Sequence, residues 1–188
     1  MVVSDATTKQ LLIDHLLRYS VRTGDFTLKS GKKSSWFIDS KQTACRPDGL
    51  LLLADLALDL IPADVTAIGG LTVGADPVAY GIAAVAATRG RSLRSFTIRK
   101  EAKDHGVAGR LAGPLEPGDK CVITDDTVTR GTSPMEAVHV ARELGAEPVM
   151  VLVVVDRGGT CQAMAEAEGL QFRALVTAPE LGFPYEGA

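Results

Sequence analysis

Two adjacent acidic residues, Asp125 and Asp126, stand at the end of a short apolar stretch in the second half of the chain. Hydroxyl residues, an arginine and a glycine follow, and a helical pattern begins after them. A loop that ends at a helix start offers a phosphate several backbone N–H groups and the positive end of the helix dipole. The residues that we expect to bind a phosphate are Thr127, Val128, Thr129, Arg130, Gly131, Thr132 and Ser133.

The two carboxylates are expected to bind a part of the same ligand other than its phosphate. Adjacent carboxylates repel a phosphate at close range, but they accept hydrogen bonds from hydroxyl groups. Asp125 and Asp126 therefore suit the hydroxyl groups of a ribose whose phosphate lies in the loop. A structural explanation also exists for Ser133, Pro134 and Glu136, which fit a capping box with Ser133 as the N-cap and Pro134 at the first helical position. That explanation leaves the two acids unexplained, so ligand binding is favoured for them.

A second charged segment, residues 99–106, contains four potential cations and two acids in a chain of net charge −3. A solvated surface loop with partly cancelling charges explains it adequately. Alternatively, its cations bind a polyanion while the glycines at 106, 109 and 113 let the segment close as a lid. The cations are Arg99, Lys100, Lys103 and His105.

The elements that must position these residues alternate between apolar helical patterns and short apolar strands. The pattern predicts a first helix over residues 7–22 and a hairpin of residues 26–29 and 35–39 at the edge of the fold. Further helices are expected at 48–61, 75–88, 134–144 and 159–168, and strands at 65–68, 93–98, 121–123, 149–155 and 172–177. This alternation predicts an α/β fold with a mainly parallel sheet flanked by helices, and ligands beyond the carboxyl ends of its strands.

Composition limits the class of protein. The length of 188 residues suits a single domain over residues 1–188, and 46% apolar with 23% charged residues argues against disorder. Three distant cysteines give neither a disulfide framework nor a zinc pattern, so a reducing cytoplasm is expected. No apolar run approaches the ~18 residues of a membrane span. The net charge of −3 and the scattered remaining cations argue against nucleic-acid binding.

The motifs resemble those of a known family. Residues 122–133 resemble the phosphoribosyl pyrophosphate motif of the type I phosphoribosyltransferases, in which the acids hold the ribose hydroxyls and the loop holds the phosphate. Residues 99–106, Arg-Lys-Glu-Ala-Lys-Asp-His-Gly, resemble the flexible loop of orotate phosphoribosyltransferases over eight consecutive positions. The resemblance implies a homodimer whose 99–109 loop closes over pyrophosphate. It further implies that Arg99, Lys103 and His105 reach the neighbouring site while Lys100 serves its own.

Other parts of the site follow from the same resemblance. It implies that Lys29 contacts the diphosphate substrate and that Trp36 and Phe37 lie near the pyrimidine, although from their type alone these aromatics suit hydrophobic cover for the sheet. Residues 69–77 resemble a second substrate loop, in which some members of the family have a lysine where this chain has Val73.

Arg157 ends the most apolar strand, where a charge marks either the solvent boundary or a site. Orotate carries a carboxylate, which a guanidinium can hold through two parallel hydrogen bonds. The resemblance supports this role for Arg157, with Thr129 beside it.

The implied reaction converts orotate and phosphoribosyl pyrophosphate into orotidine 5′-monophosphate and pyrophosphate, with Mg²⁺ held mainly by substrate and water. Asp125 and Asp126 are expected to stabilise a cationic ribose, and Lys103 to be the main loop residue. His105 either protonates a leaving oxygen or donates a hydrogen bond to it. Two alternatives are a phosphoribosyltransferase for another base and a regulatory sensor that binds phosphoribosyl pyrophosphate and nucleic acid.

Overall fold

A computed structural model describes residues 5–27, 31, 33–103 and 109–186, with the backbone alone at positions 5, 102 and 103. In chain order the elements are α1 (Asp5–Tyr19), β1 (Val21–Thr27), β2 (Lys33–Ile38), α2 (Lys41–Ala44), α3 (Pro47–Leu60), β3 (Ala67–Leu71), α4 (Ala75–Thr88), β4 (Arg94–Lys103), β5 (Gly109–Ala112), β6 (Lys120–Val128), α5 (Thr132–Glu143), β7 (Glu147–Asp156), α6 (Cys161–Ala167) and β8 (Gln171–Thr177). A 3₁₀ turn, Pro179–Leu181, follows β8.

The main sheet has six strands in the order β5-β4-β3-β6-β7-β8, and every neighbouring pair except β4 and β5 is parallel. This arrangement confirms the predicted α/β class. In the register between β6 and β7, Val128 lies opposite Asp156. The segments that follow these two strands, the hydroxyl-rich loop and Arg157, therefore leave the sheet side by side.

Helices cover both faces of the sheet, and β7 shows why its sequence is almost wholly apolar. Leu152 and Val154 pack into a core formed with α1, α3 and α4, whereas Val151 and Val153 pack into a second core formed with α5 and α6. Successive side chains of a strand point to opposite faces, so a strand covered on both sides needs apolar residues at every position. The almost uninterrupted apolar run of this strand thus corresponds to burial on both faces.

A separate antiparallel pair, β1 and β2, forms a hairpin where the sequence predicted one, but its first strand begins at Val21 and not at residue 26. The first helix ends at Tyr19 and not at residue 22. Val21 continues the apolar helical spacing, but it belongs to β1 and packs against the core from there. The prediction of a longer helix was wrong because Val21, the first residue of a strand, continues the spacing of the apolar residues in the helix before it.

The charged segment after residue 98 also differs from the prediction of a loop. Strand β4 continues to Lys103, and β5 returns beside it with Ile98 opposite Leu111 and Lys103 opposite Gly109. Arg99 strengthens this pairing: its Nη1 donates to the Leu111 carbonyl at 3.1 Å. A two-stranded arm tolerates charged side chains because it has little core to fill, so hydrophobic periodicity does not reveal it.

Candidate active site

A cavity of about 860 Å³ lies at the carboxyl ends of β6 and β7. This is the position expected for a ligand in a parallel α/β sheet. The hairpin covers one side of the cavity, and the loops after β6 and β7 form the rest. Its walls consist of Phe26, Thr27, Phe37, Asp125, Thr127, Val128, Thr129, Arg130, Gly131, Thr132, Ser133, Pro134 and Arg157.

The loop after β6 has the geometry of an anion site. Helix α5 begins at Thr132, directly after Gly131, which has φ 82°. A Cβ added at Gly131 would lie within 3.1 Å of Cys161. Any other residue here is both strained and crowded. Because the first N–H groups of a helix lack acceptors within the helix, the start of α5 presents donors to the cavity. The structure therefore brings the predicted phosphate-binding residues together.

The predicted capping box is wrong. Gly131 occupies the N-cap position without a side-chain cap, and Ser133 is already the second residue of α5. Glu136 does not reach back to the helix start; its carboxylate pairs with Arg110 on β5. The left-handed conformation of Gly131 starts the helix earlier than the serine would, which leaves Ser133 free to line the cavity.

The acidic pair lies inside β6, because pairing with β7 continues through Thr127 and Val128. Both carboxyl side chains are buried, at 8% exposure for Asp125 and 7% for Asp126, but only Asp125 lines the cavity. Asp126 Oδ2 accepts hydrogen bonds from Lys41 Nζ at 2.7 Å and Ser40 Oγ at 2.9 Å. The two acids therefore have different surroundings, which the sequence did not indicate.

The segment of residues 69–77 lies against the acidic pair. A Cβ added at Gly74 would stand 2.6 Å from Oδ1 of both Asp125 and Asp126, so a glycine is needed for this approach. Asp76 fixes the loop by accepting hydrogen bonds from Thr72 and Thr97, each at 2.8 Å. The predicted proximity of this loop to the site is thus present in the structure.

Burial raises the pKa of Asp125 to about 8, and the negative charge of Asp126 adds to this effect. Lys41 acts in the opposite direction, since its positive charge favours the ionised carboxylate. Because the two carboxyl groups interact strongly, the pair holds one proton near neutral pH.

Arg157 follows β7 and is only 6% exposed. Its Nη2 donates to the carbonyl of Trp36 at 3.0 Å and to Ser34 Oγ at 3.2 Å, and it pairs with the carboxylate of Glu186. Its Nε is buried without an acceptor among the described residues, which leaves a donor available for a ligand. The guanidinium also lies 4.6 Å from the Trp36 ring centre.

The two neighbouring aromatics, Trp36 and Phe37, divide between core and cavity. Trp36 is fully buried, stacks on Phe183 with ring centres 4.5 Å apart, and does not line the cavity. Its placement therefore contradicts direct contact with the pyrimidine and makes it a support for Arg157. Phe37 is 40% exposed and lines the cavity with Phe26, whose ring centre lies 5.8 Å away.

Of the cations predicted in the segment of residues 99–106, the two whose side chains the structure describes lie away from the cavity. Arg99 is half-buried on β4 and Lys100 is exposed there, and neither lines the cavity. Lys29, His105 and the side chain of Lys103 lie outside the described residues, so their roles stay predictions.

Sequence reasoning missed four residues that shape the site: Ser40, Lys41, Gly158 and Glu186. A Cβ at Gly158 would overlap the carbonyl oxygen of Thr129, so the loops after β6 and β7 touch through their backbones. The glycine after Arg157 was the one available signal for this contact. Contacts of Lys41 and Glu186 span 85 and 29 residues of sequence, and no local pattern indicates them.

Within the described ranges, no group of three or more His, Cys, Asp or Glu side chains is placed to hold a metal ion. Among the described helices, none combines the length and the apolar character needed to cross a membrane.

The sheet order, the hairpin over the cavity and the phosphate loop after an acidic strand end define the type I phosphoribosyltransferase fold. Adenine phosphoribosyltransferase from Leishmania donovani shares it with a TM-score of 0.65 at 15% identity, over 95% of this chain and 83% of that one. No family model matches the chain.

Closer relatives narrow the class. The chain is 37% identical over 182 residues to orotate phosphoribosyltransferase from a Nostoc species, which covers 96% of this chain and 88% of that protein. The Mycobacterium tuberculosis orotate phosphoribosyltransferase in complex with Fe(III) dicitrate superposes with a TM-score of 0.84 at 34% identity, over 94% and 99% of the two chains. The same enzyme in complex with 5-phospho-α-D-ribosyl 1-diphosphate gives 0.79 at 30% identity, over the same shares. The chain belongs to the orotate phosphoribosyltransferase family.

The raised pKa of Asp125 predicts a pH-dependent stability. Between about pH 4 and pH 8 the folded chain holds a proton that the unfolded chain has lost, so the free energy of unfolding falls as the pH rises through this range. Asp125→Asn removes this titration. We therefore expect the variant to gain stability relative to the wild type between pH 5 and pH 8, measured by urea denaturation at both values.

Asp119→Asn is the contrasting control. Burial raises the pKa of Asp119, but hydrogen bonds from Glu116 N–H and Thr66 together with Arg94 lower it overall. Its contribution to stability is complete above its unfolded value and is lost only in more acidic solution. Asp119→Asn should change stability equally at pH 5 and pH 8. An equal change for Asp125→Asn as well would contradict the assignment.

Proposed function

We propose that this chain transfers the 5-phosphoribosyl group from phosphoribosyl pyrophosphate to orotate in the cytoplasm, giving orotidine 5′-monophosphate and pyrophosphate for pyrimidine nucleotide synthesis. The observation that carries the proposal is the joining of a phosphate loop, a carboxyl group and a buried arginine in one cavity. Arg157 N–H donates to the Val128 carbonyl at 2.8 Å, so the ribose-phosphate and base regions are fixed to each other.

The 5′-phosphate fits the loop of residues 129–133, where backbone N–H groups and hydroxyls converge at the start of α5. The ribose then extends toward Asp125, whose carboxyl group accepts from its hydroxyls. Asp126 is oriented by the protein, since Oδ2 accepts from Ser40 and Lys41 and Oδ1 accepts from Thr127 N–H. One acceptor position on Oδ1 remains for the second ribose hydroxyl.

Orotate fits the wall formed by Arg157, Phe37 and Thr129. The guanidinium of Arg157 can pair with the carboxylate of orotate, a group that a neutral pyrimidine such as uracil lacks. The Phe37 ring offers a flat apolar surface to the base. Arg157 is held from behind by β2 and by Glu186, so it is oriented before any ligand arrives.

In the reaction a ring nitrogen of orotate forms a bond to the anomeric carbon of the ribose, and the bond from that carbon to the pyrophosphate oxygen breaks. The proton of that nitrogen is released to the leaving pyrophosphate or to water. The electron pair of the broken bond leaves with pyrophosphate. Positive charge develops on the ribose ring, beside the one negative charge that the acidic pair carries near neutral pH, and negative charge develops on the leaving group. A preorganised group facing developing charge typically contributes ~3 to 4 kcal/mol. Arg99, Lys100, Lys103, His105 and Lys29 are the residues proposed to neutralise the pyrophosphate.

Mg²⁺ is proposed as the cofactor, and when bound it supplies positive charge to the diphosphate oxygens. The donor chemistry of the cavity fits an ion carried by the substrate. Asp125 and the hydroxyls of Thr127 and Thr129 offer oxygen atoms, whereas Asp126 is committed to Lys41 and Ser40. An ion that keeps water and substrate as its main ligands needs no more from this chain.

A homodimer is proposed with the β4–β5 arm reaching the neighbouring site. Pairing of β4 with β3 ends where Leu71 lies opposite Ile98, and beyond that point β4 pairs with β5 where Lys103 lies opposite Gly109. Arg99 and Lys100 thus belong to the part of β4 that extends past its pairing with β3. This geometry supports a loop that acts in a site other than its own.

The first test is orotate consumption, followed by ultraviolet absorbance, with phosphoribosyl pyrophosphate and Mg²⁺. We expect loss of signal with orotate and none with uracil or adenine in its place. Turnover of another base would favour a different phosphoribosyltransferase. Binding of the diphosphate with no turnover, accompanied by nucleic-acid binding at moderate salt, would favour the sensor.

Arg157→Ala should raise KM for orotate at least about tenfold, because it removes a charge-assisted hydrogen bond to the carboxylate. KM for phosphoribosyl pyrophosphate should change little. The matched control is Arg173→Ala, an exposed arginine on β8 that does not line the cavity. Arg157 would have no place in the base site if orotate KM stayed unchanged.

Co-expression of two inactive variants tests the arm. Lys103→Ala and Asp125→Asn should each lack activity alone. A mixed dimer regains one intact site if Lys103 acts across the dimer, so the mixture should show about a quarter of wild-type activity. Lys100→Ala with Asp125→Asn should regain none, because both residues are proposed to serve the same site. Equal recovery in the two mixtures, or none in either, would overturn the crossed arrangement.

A further inference from the structure

The ion pair between Lys41 and Asp126 lies beside the cavity and is not used by the reaction as described above. Lys41 belongs to the one-turn helix α2, directly after the hairpin, and its Nζ lies 2.7 Å from Asp126 Oδ2. The same ammonium lies 3.5 Å from Asp39 Oδ1. Ser40, which is fully buried, donates to the same Asp126 oxygen. The segment of residues 39–41 thus binds the second acid of the pair from outside the cavity.

The protein holds the two acids unequally. Asp126 Oδ2 receives two donors, and its Oδ1 accepts from Thr127 N–H at 2.9 Å. Asp125 Oδ1 accepts from Asp126 N–H at 2.9 Å, and among the described residues Asp125 forms no ion pair. Side chains of another segment therefore anchor Asp126 but not Asp125.

The charge of the acidic pair is a second reason to expect a role for Lys41. With one proton on the pair near neutral pH, the two acids carry a charge of −1 beside the position proposed for the diphosphate, and the ammonium of Lys41, in contact with Asp126, offsets that charge. The loop around Gly74, which lies against both acids, supplies no cation to offset their charge. The exposed side chain at that loop is the uncharged Val73. Lys41 is the one cation in contact with the pair among the described residues. The Lys41 side chain is 42% exposed, and its positive charge still acts on the cavity because the distance is short.

We infer that Lys41 is a positioning residue: it fixes the orientation of Asp126 beside the position proposed for the ribose, and it offsets the charge of Asp126 next to the diphosphate. This inference rests on the proposed function, since it takes phosphoribosyl pyrophosphate as the ligand. Lys41 acts through Asp126 and not on the substrate itself.

The test compares Lys41→Met, Lys41→Arg and Asp126→Asn, alone and combined. In Lys41→Met an uncompensated carboxylate stands near the diphosphate, so kcat/KM for phosphoribosyl pyrophosphate should fall about fivefold. KM for orotate, measured at saturating diphosphate, should change less than about twofold. Lys41→Arg keeps the charge and should restore most of the loss.

The double variant separates action through Asp126 from direct action. Adding Lys41→Met to Asp126→Asn should cost little further, because the charge that Lys41 offsets has gone. Independent, additive losses would overturn the inference and make Lys41 a direct ligand of the diphosphate. Unchanged kinetics in Lys41→Met, or equal loss in both substrates' KM values, would also overturn it.

Lys120→Met is the matched control, because Lys120 pairs with Asp64 at 2.8 Å at the opposite end of β6. It loses an ion pair of similar length away from the cavity and should keep wild-type kinetics. Wild-type protein assayed in parallel separates a failure of the proposed function from a failure of the inference about Lys41. An inactive wild type refutes the proposed function, whereas an active wild type with an unaffected Lys41→Met refutes this inference alone.

Discussion

The register between β6 and β7 is the constraint on which the site depends. Val128 lies opposite Asp156, and the N–H of Arg157 donates to the Val128 carbonyl at 2.8 Å. Beyond the strands, Gly158 packs on the backbone of Thr129, and Thr160 Oγ1 donates to the Thr129 carbonyl at 2.9 Å. A slip of one residue would turn every side chain of one strand to the opposite face. The phosphate loop and Arg157 would then no longer face one cavity.

The distribution of buried charge explains how the cavity is prepared for its ligand. Burial of a charge is costly unless a partner offsets the lost hydration. Arg157 has Glu186 and two neutral acceptors, and Asp126 has Lys41 and Ser40. Asp125 has no such partner in the described part of the chain and responds by holding its proton to about pH 8. Asp156 is likewise buried without an ion pair among the described residues, but the N–H groups of Gly158 and Gly159 donate to its Oδ1. Of these two carboxyl groups, Asp125 is the one that lines the cavity.

The sequence predicted the sheet, most helices and the position of the site because these depend on local patterns. Residues 75–88 have helical spacing and form α4 with the predicted bounds, and the apolar run of β7 indicated burial on both faces. Other features depend on contacts that no local pattern encodes. Strand β4 extends past residue 98 because β5 pairs with it, and Gly131 starts α5 ahead of the serine that resembles a cap.

The acidic pair shows the same limit at the level of chemistry. Identical neighbours in the sequence suggested identical tasks, whereas Ser40 and Lys41 bind only the second of them. The family resemblance supplied what residue types alone left open, above all the identity of the base. It placed Trp36 and Phe37 together, and the fold separated them into a core residue and a cavity residue.

That separation has a spectroscopic consequence. Trp36 is the chain's one tryptophan, it is fully buried, and it lies between the guanidinium of Arg157 and the ring of Phe183 within about 4.6 Å of each. Tryptophan emission is therefore a built-in reporter from a single place, the rear wall of the base region. Its intensity and wavelength follow the position of the Arg157 charge without any label.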